Sequence, residues 1–110
     1  METRLKKYPR TLHLPFSEGV ASDDKKHADL SFLDDRIVVI TEKRDGENTT
    51  IYRDYMHARS LDSKNHPSRN WVKKFATNFQ HDIPETFRIC GENLYAKHSV
   101  EYDALNSYFE

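Results

Sequence analysis

Between residues 35 and 42 the chain reads Asp-Arg-Ile-Val-Val-Ile-Thr-Glu, and between 47 and 54 it reads Glu-Asn-Thr-Thr-Ile-Tyr-Arg-Asp. β-Branched side chains crowd both stretches and no helical period runs through either, so each predicts a strand. Asp45-Gly46 stands between them, and an Asp-Gly pair joining two such runs predicts a tight turn, because glycine accepts positive φ without a Cβ clash. Residues 55–60 predict a short third strand. The polar segment 61–66 gives way to Pro67, which suits an early helical position. Trp71, Val72, Phe75, Phe79 and Ile83 then recur at helical spacing. That stripe predicts one amphipathic helix over 68–81 that packs its apolar side into the core, with Pro84 as its breaker. Thr86-Phe-Arg-Ile-Cys90 alternates as a strand does, Gly91 permits close backbone approach, and residues 95–99 predict another short strand. Residues 1–34, with Pro9, Pro15, Gly19 and a charged stretch, predict an extended arm with loops, while 102–110 form an aromatic-bearing tail without a stop signal. The fold class is α+β, with antiparallel strands and one main amphipathic helix.

Composition narrows the function. A chain of 110 residues is one domain at most, and a domain of this size buries about 60–70% of its unfolded surface. It reads as a single domain over 1–110, with residues 1–34 as the arm and 35–110 as the core. Seventeen basic side chains stand against 18 acidic ones, so no net positive field marks a nucleic-acid binder and any RNA contact has to be local. Arg69, Lys73 and Lys74 give the predicted helix a basic side, which reads first as a solvated face and second as a contact for RNA phosphates. Cys90 is the only cysteine; it excludes an internal disulfide and fits a reducing compartment. No apolar run is long enough to span a bilayer, and no apolar stretch follows the charges of the first residues as a signal peptide requires, so the expected location is the cytoplasm. The histidines at 13, 27, 57, 66, 81 and 98 share no i, i+4 pairing, which argues against a zinc site.

Lys43 is the residue with chemistry to offer. An amine at the mouth of a strand-turn-strand unit is where an enzyme can hold a lysine nucleophile, but Lys-x-Asp-Gly alone is a weak signal and by itself reads first as a solvated charge beside a turn. Four blocks in order strengthen it: Tyr8-Pro-Arg-Thr-Leu-His-Leu-Pro-Phe16, Thr41-Glu-Lys-Arg-Asp-Gly-Glu-Asn-Thr-Thr50, His57-Ala-Arg-Ser-Leu-Asp-Ser63 and Cys90-Gly-Glu-Asn-Leu-Tyr-Ala-Lys-His-Ser99. Together they resemble the ATP-dependent RNA ligases of the covalent nucleotidyltransferase superfamily, whose adenylyltransferase domain is ATP-grasp-like.

The resemblance implies an enzyme in which Lys43 attacks the α-phosphate of ATP, forms a lysyl-AMP and releases pyrophosphate, before RNA 5′-phosphate and 3′-hydroxyl ends are joined. An ordinary lysine, with a pKa of about 10.4, is protonated at neutral pH, so this role needs burial or nearby positive charge; Mg²⁺, held through phosphates and water rather than by protein ligands, would supply the second. By the same resemblance Asp45 and Gly46 shape the turn that presents Lys43, and Glu42 lies beside the adenine. Asn48 orients phosphate or metal-bound water, Arg59 donates to ribose or phosphate oxygens, and Glu92 accepts from the ribose hydroxyls. A later Glu-Gly strand and a Lys-x-Lys pair of the family are absent. The expectation is therefore the amino-terminal portion of the domain, with little activity alone and a missing carboxy-terminal half as partner. A DNA ligase, a capping guanylyltransferase and a non-catalytic module with a ligase-like core stay open as alternatives.

Overall fold

The computed structural model describes residues 5–61, 65–96 and 101–110. It divides the chain into two compact units, Met1–Tyr8 with Lys43–Glu110, and Pro9–Glu42.

In the larger unit, three strands form an antiparallel sheet in the order β2-β1-β3: β1 (Glu47–Ile51), β2 (Met56–His57) and β3 (Ile89–Asn93). One helix, α1 (Asn70–Ala76), packs on it, so the architecture is α+β. β1 is central because both of its edges are paired: Thr50 pairs with His57 and Ile51 with Met56 on one side, while residues 47–51 pair with 93–89 on the other. The strand expected over 47–54 stops at Ile51 because the chain turns back at once, the Tyr52 N–H donating to the Tyr55 carbonyl at 2.7 Å. β3 lies three residues later than the alternation of 86–90 indicated. Pro84 sets a turn in which the Phe87 N–H donates to the Pro84 carbonyl, and this consumes the start of the expected strand. Of the strand expected at 95–99, Tyr95 and Ala96 form a bend and the remainder lies outside the described residues.

The helix is shorter than its apolar stripe. His66 caps a 3₁₀ turn at Pro67–Arg69 by accepting the Ser68 N–H at 3.1 Å, and α1 follows directly. It ends at Ala76 because Thr77 turns its hydroxyl onto the Lys74 carbonyl, at 2.6 Å, competing with the backbone for that acceptor. The stripe nonetheless packs as expected. Val72 and Ala76 are buried, and Ile51, Ala76 and Ile83 form a core flanked by Met56, Phe79 and Phe109. Trp71 stacks on Phe75 at 5.0 Å and meets Tyr108 edge-on at 5.2 Å. Burying side chains such as Ile51 and Val72 contributes about 1.5–3 kcal/mol each.

The tail is a further edge of this sheet. Phe109 bridges Asn93 in antiparallel fashion, and the backbones of Glu92 and Glu110 exchange hydrogen bonds at 2.6 and 3.1 Å. Gly91 is needed for this: a Cβ there would sit 2.6 Å from the Phe109 ring.

The smaller unit holds a parallel bridge between His13 and Lys26 and a 3₁₀ turn at Ser31–Leu33. The strand expected over 35–42 is not present: Asp35 turns through φ 57°, and Ile37, Val39 and Ile40 are 101%, 86% and 91% exposed. β-Branched residues favour an extended backbone, but a strand also needs a neighbour's N–H and C=O groups, and no described residue supplies them to this run.

Candidate functional site

Alternation along β1 sorts its side chains onto two faces. Glu47, Thr49 and Ile51 face α1: the Glu47 carboxylate takes two hydrogen bonds from Arg69 at 2.7 and 2.8 Å, and Asn93 on the same face of β3 donates from its amide to the Ser68 carbonyl at 3.2 Å. The Glu47 bonds raise the pKa of the Arg69 guanidinium beyond its already high ordinary value. Asn48 and Thr50 face the other way. There Asn48 lies directly opposite Glu92 and Thr50 directly opposite Cys90, with Thr50 Oγ1 3.6 Å from Cys90 Sγ.

This second face is polar and yet covered. Thr50 is fully buried and His57 nearly so. His57 Nε2 lies 3.0 Å from the Tyr52 hydroxyl and Nδ1 2.6 Å from the Ala58 carbonyl. The hydroxyl in turn accepts the Lys6 N–H at 2.8 Å. Asn48 Oδ1 is buried without a hydrogen-bond partner, an unmet acceptor of a kind native structures keep few of unless a ligand or water completes it.

The tail continues the same row. Asn93 pairs with Phe109, so Glu110 stands across from Glu92, and Asn48, Glu92 and Glu110 line up across three neighbouring segments. Arg44 reaches this row: its Nε lies 2.6 Å from Glu110 Oε2, with the two side chains 27% and 23% exposed. The guanidinium also sits 5.1 Å above the centre of the Tyr102 ring. The Asp45 N–H donates to the Tyr102 hydroxyl at 2.7 Å.

The structure thus brings together Asp45, Gly46, Asn48 and Glu92. Gly46 does so differently from the expected hairpin. Its φ is not positive, and with no strand before it there is no hairpin to close. What the position demands is space, because a Cβ would lie 2.5 Å from the Asn93 carbonyl oxygen and 2.7 Å from Leu94 Cδ2. Lys43, next to this cluster in the chain, is exposed. Arg59 is exposed too; extending the β1–β2 register would set it opposite Asn48, but the ladder ends at His57. Glu42 is exposed at the end of the Pro9–Glu42 unit. Tyr102 and Glu110 carry no local signal of a site role, since their contacts with Asp45 and Arg44 span more than fifty residues.

A cavity of about 290 Å³ opens on the helix side of the sheet, with Glu47, Thr49, Met56, Arg69, Lys73 and Gln80 among its walls. None of the expected site residues lines it. Among the described residues no group of three or more His, Cys, Asp or Glu could hold a metal, and no helix is long and apolar enough to cross a membrane.

No curated protein and no solved structure gives a significant match to the chain. The family model described as RNA ligase matches residues 36–110, about two thirds of the sequence, including Lys43, the polar row and the tail. The chain belongs to the RNA ligase family.

Proposed function

We propose that the chain carries the nucleotide face of an ATP-dependent RNA ligase, with Lys43 as the amine that takes AMP. The observation that supports this most is the pairing of Asn48 with Glu92 on a covered polar face next to the Lys43 segment. Both side chains end in oxygen acceptors, and Asn48 Oδ1 is buried without a partner, which suits the donor hydroxyls of a ribose.

In the reaction, the Lys43 nitrogen attacks the α-phosphorus of ATP; the P–N bond forms as the bond to the bridging oxygen breaks, and pyrophosphate leaves. AMP passes from Lys43 to an RNA 5′-phosphate, and the amine is released. A 3′-hydroxyl then attacks that 5′-phosphate, closing the phosphodiester as AMP departs. Lys43 is exposed, so a role as nucleophile draws on positive charge brought with the nucleotide rather than on burial. Mg²⁺, held through phosphates and water, would supply that positive charge when bound. Arg59 serves the ribose or phosphate oxygens. The Glu-Gly strand and Lys-x-Lys pair are not in the sequence. Positioned cations in such a transition state are worth several kcal/mol each, so the proposal includes weak adenylylation by this chain alone and completion by a carboxyl-side partner segment.

Titrating the ¹⁵N-labelled chain with ATP and Mg²⁺ tests the reading. Saturable shifts are expected at the Gly46, Asn48 and Glu92 amides, with a weaker response to GTP. Asn48→Leu is expected to abolish them while keeping or raising stability, because it removes a buried acceptor that has no partner. Silence at those amides under ATP sinks the reading. Incubation with α-labelled ATP is expected to leave little label on Lys43, and strong labelling would refute the need for the absent motifs.

The exposure of Lys43 and Arg59 favours a second reading, a ligase-like module that binds without chemistry. Full biological activity in a Lys43→Ala variant would decide for it.

A further inference from the structure

The tail does more than close a sheet edge. It touches both parts of the candidate site at once, and through side chains that a packing role does not require. Its backbone pairs with Glu92 in both directions, at 2.6 and 3.1 Å. Its Tyr102 hydroxyl accepts the Asp45 N–H at 2.7 Å, two residues past Lys43. Its Glu110 carboxylate holds Arg44, the residue directly after Lys43, at 2.6 Å, and the Tyr102 ring lies against the same guanidinium.

We infer that residues 102–110 are a strap that fixes the Lys43 loop relative to Glu92, and that Tyr102, Glu110 and Arg44 are positioning residues for the nucleotide; this rests on the nucleotide reading above. The geometry carries it in three steps. Arg44 fills the variable place in Lys-Arg-Asp-Gly, where no phosphate role is required of it, yet it is clamped from two sides by a carboxylate and an aromatic face. Planar guanidinium suits that double contact better than an ammonium does. The clamp on Arg44 and the Tyr102 bond to the Asp45 N–H hold the two residues that follow Lys43, so the Lys43 backbone, joined directly to them, is held as well. Glu110 occupies the row position beside Glu92, so the ion pair also places a positive charge next to a carboxylate that would otherwise face another carboxylate. A loop held this way keeps the Lys43 backbone at one place relative to Glu92, and small misplacement of a reacting group is costly.

The test uses the full 110-residue chain and three variants: Tyr102→Phe, Arg44→Ala and Arg44→Lys. Each is followed by thermal unfolding, by hydrogen exchange at the Asp45 amide, and by ATP titration read at the Glu92 and Gly46 amides. Loss of one hydrogen bond corresponds to a factor of up to about ten in an equilibrium constant. Tyr102→Phe is therefore expected to speed Asp45 exchange by about that factor and to weaken ATP binding several-fold, with thermal unfolding little changed. Arg44→Ala is expected to weaken ATP binding further, and Arg44→Lys to recover only part of the loss because the charge returns without the planar fork. Faster Asp45 exchange with unaltered ATP affinity in every variant would overturn the proposal and leave the tail as packing alone. If the unaltered chain gives no ATP response at Glu92 or Gly46, the nucleotide reading itself falls and the strap's positioning role falls with it, a result visible without any variant.

Discussion

Glycines show how one residue type can be required for unrelated reasons. Gly19 adopts φ +67° with open space where a Cβ would go, so its constraint is conformational. Gly46 has ordinary φ, and its constraint is the Asn93 carbonyl oxygen 2.5 Å from where a Cβ would stand. The obstacle is backbone, paired into the sheet, and cannot rotate aside. Gly46→Ala is therefore expected to cost about 1–3 kcal/mol, the range for overfilling a packed site. Gly19→Ala should cost about 1 kcal/mol through its left-handed backbone alone. Urea denaturation of both variants checks this, and equal small losses would show that the β1–β3 approach relaxes freely. The sequence identified Gly46 as special, but for a turn; close approach depends on which strand arrives alongside, and Asn93 is far away in the chain. The same holds for the site. Asp45, Gly46, Asn48 and Glu92 were legible as motif residues, whereas the contacts of Arg44 with Tyr102 and Glu110 were not.

Elements were legible where a periodic stripe or a run of β-branched residues coincided with a partner. The stripe from Trp71 to Ile83 is core, as its spacing indicated, yet only residues 70–76 are α-helical, because Thr77 diverts a backbone acceptor. Residues 37–40 are the opposite case: a strong strand pattern that no described segment pairs with. Periodicity reports what a segment can do locally; whether it becomes a strand is settled by a neighbour. The sheet and the 3₁₀ turn that leads into α1 meet through the ion pair of Glu47 and Arg69, whose side chains are 27% and 20% exposed. Arg69→Ala would leave the carboxylate half-buried without its paired donors, and hydrogen bonds to charged groups contribute about 1.5–3 kcal/mol. The expected loss is at the lower end, about 1–2 kcal/mol, because water still reaches both side chains. A chemical denaturation series of Arg69→Ala, Glu47→Gln and the double variant measures it. Additive losses in that cycle would mean the pair holds nothing together.

For the larger unit as a whole, the small number of fully buried side chains makes the tail decisive. Ile51, Val72 and Thr50 are the largest that water does not reach, and a core of that size leaves little margin in a domain whose net stability is about 5–15 kcal/mol. The tail adds a ladder edge to β3 and closes an aromatic cluster over α1: Tyr108 meets Trp71 at 5.2 Å and Tyr95 at 5.5 Å, and Phe109 lies 6.2 Å from Phe75 while also packing on the core. Phe109 thereby joins the helix to the strand that bears Glu92. Removing its ring in Phe109→Ala empties the space beside Gly91 and should cost about 3 kcal/mol, the lower end for a phenylalanine because the ring is only partly buried. Trp71 is the sole tryptophan and sits in this cluster, so its fluorescence reports the loss directly. The expected result is an unfolding midpoint shifted to lower denaturant, with Trp71 emission and far-ultraviolet circular dichroism changing together, because helix, sheet and tail share one core. If the fluorescence changed well before the dichroism in Phe109→Ala, the tail would be a separate, weaker layer, and the position of Lys43 relative to Glu92 could not depend on it.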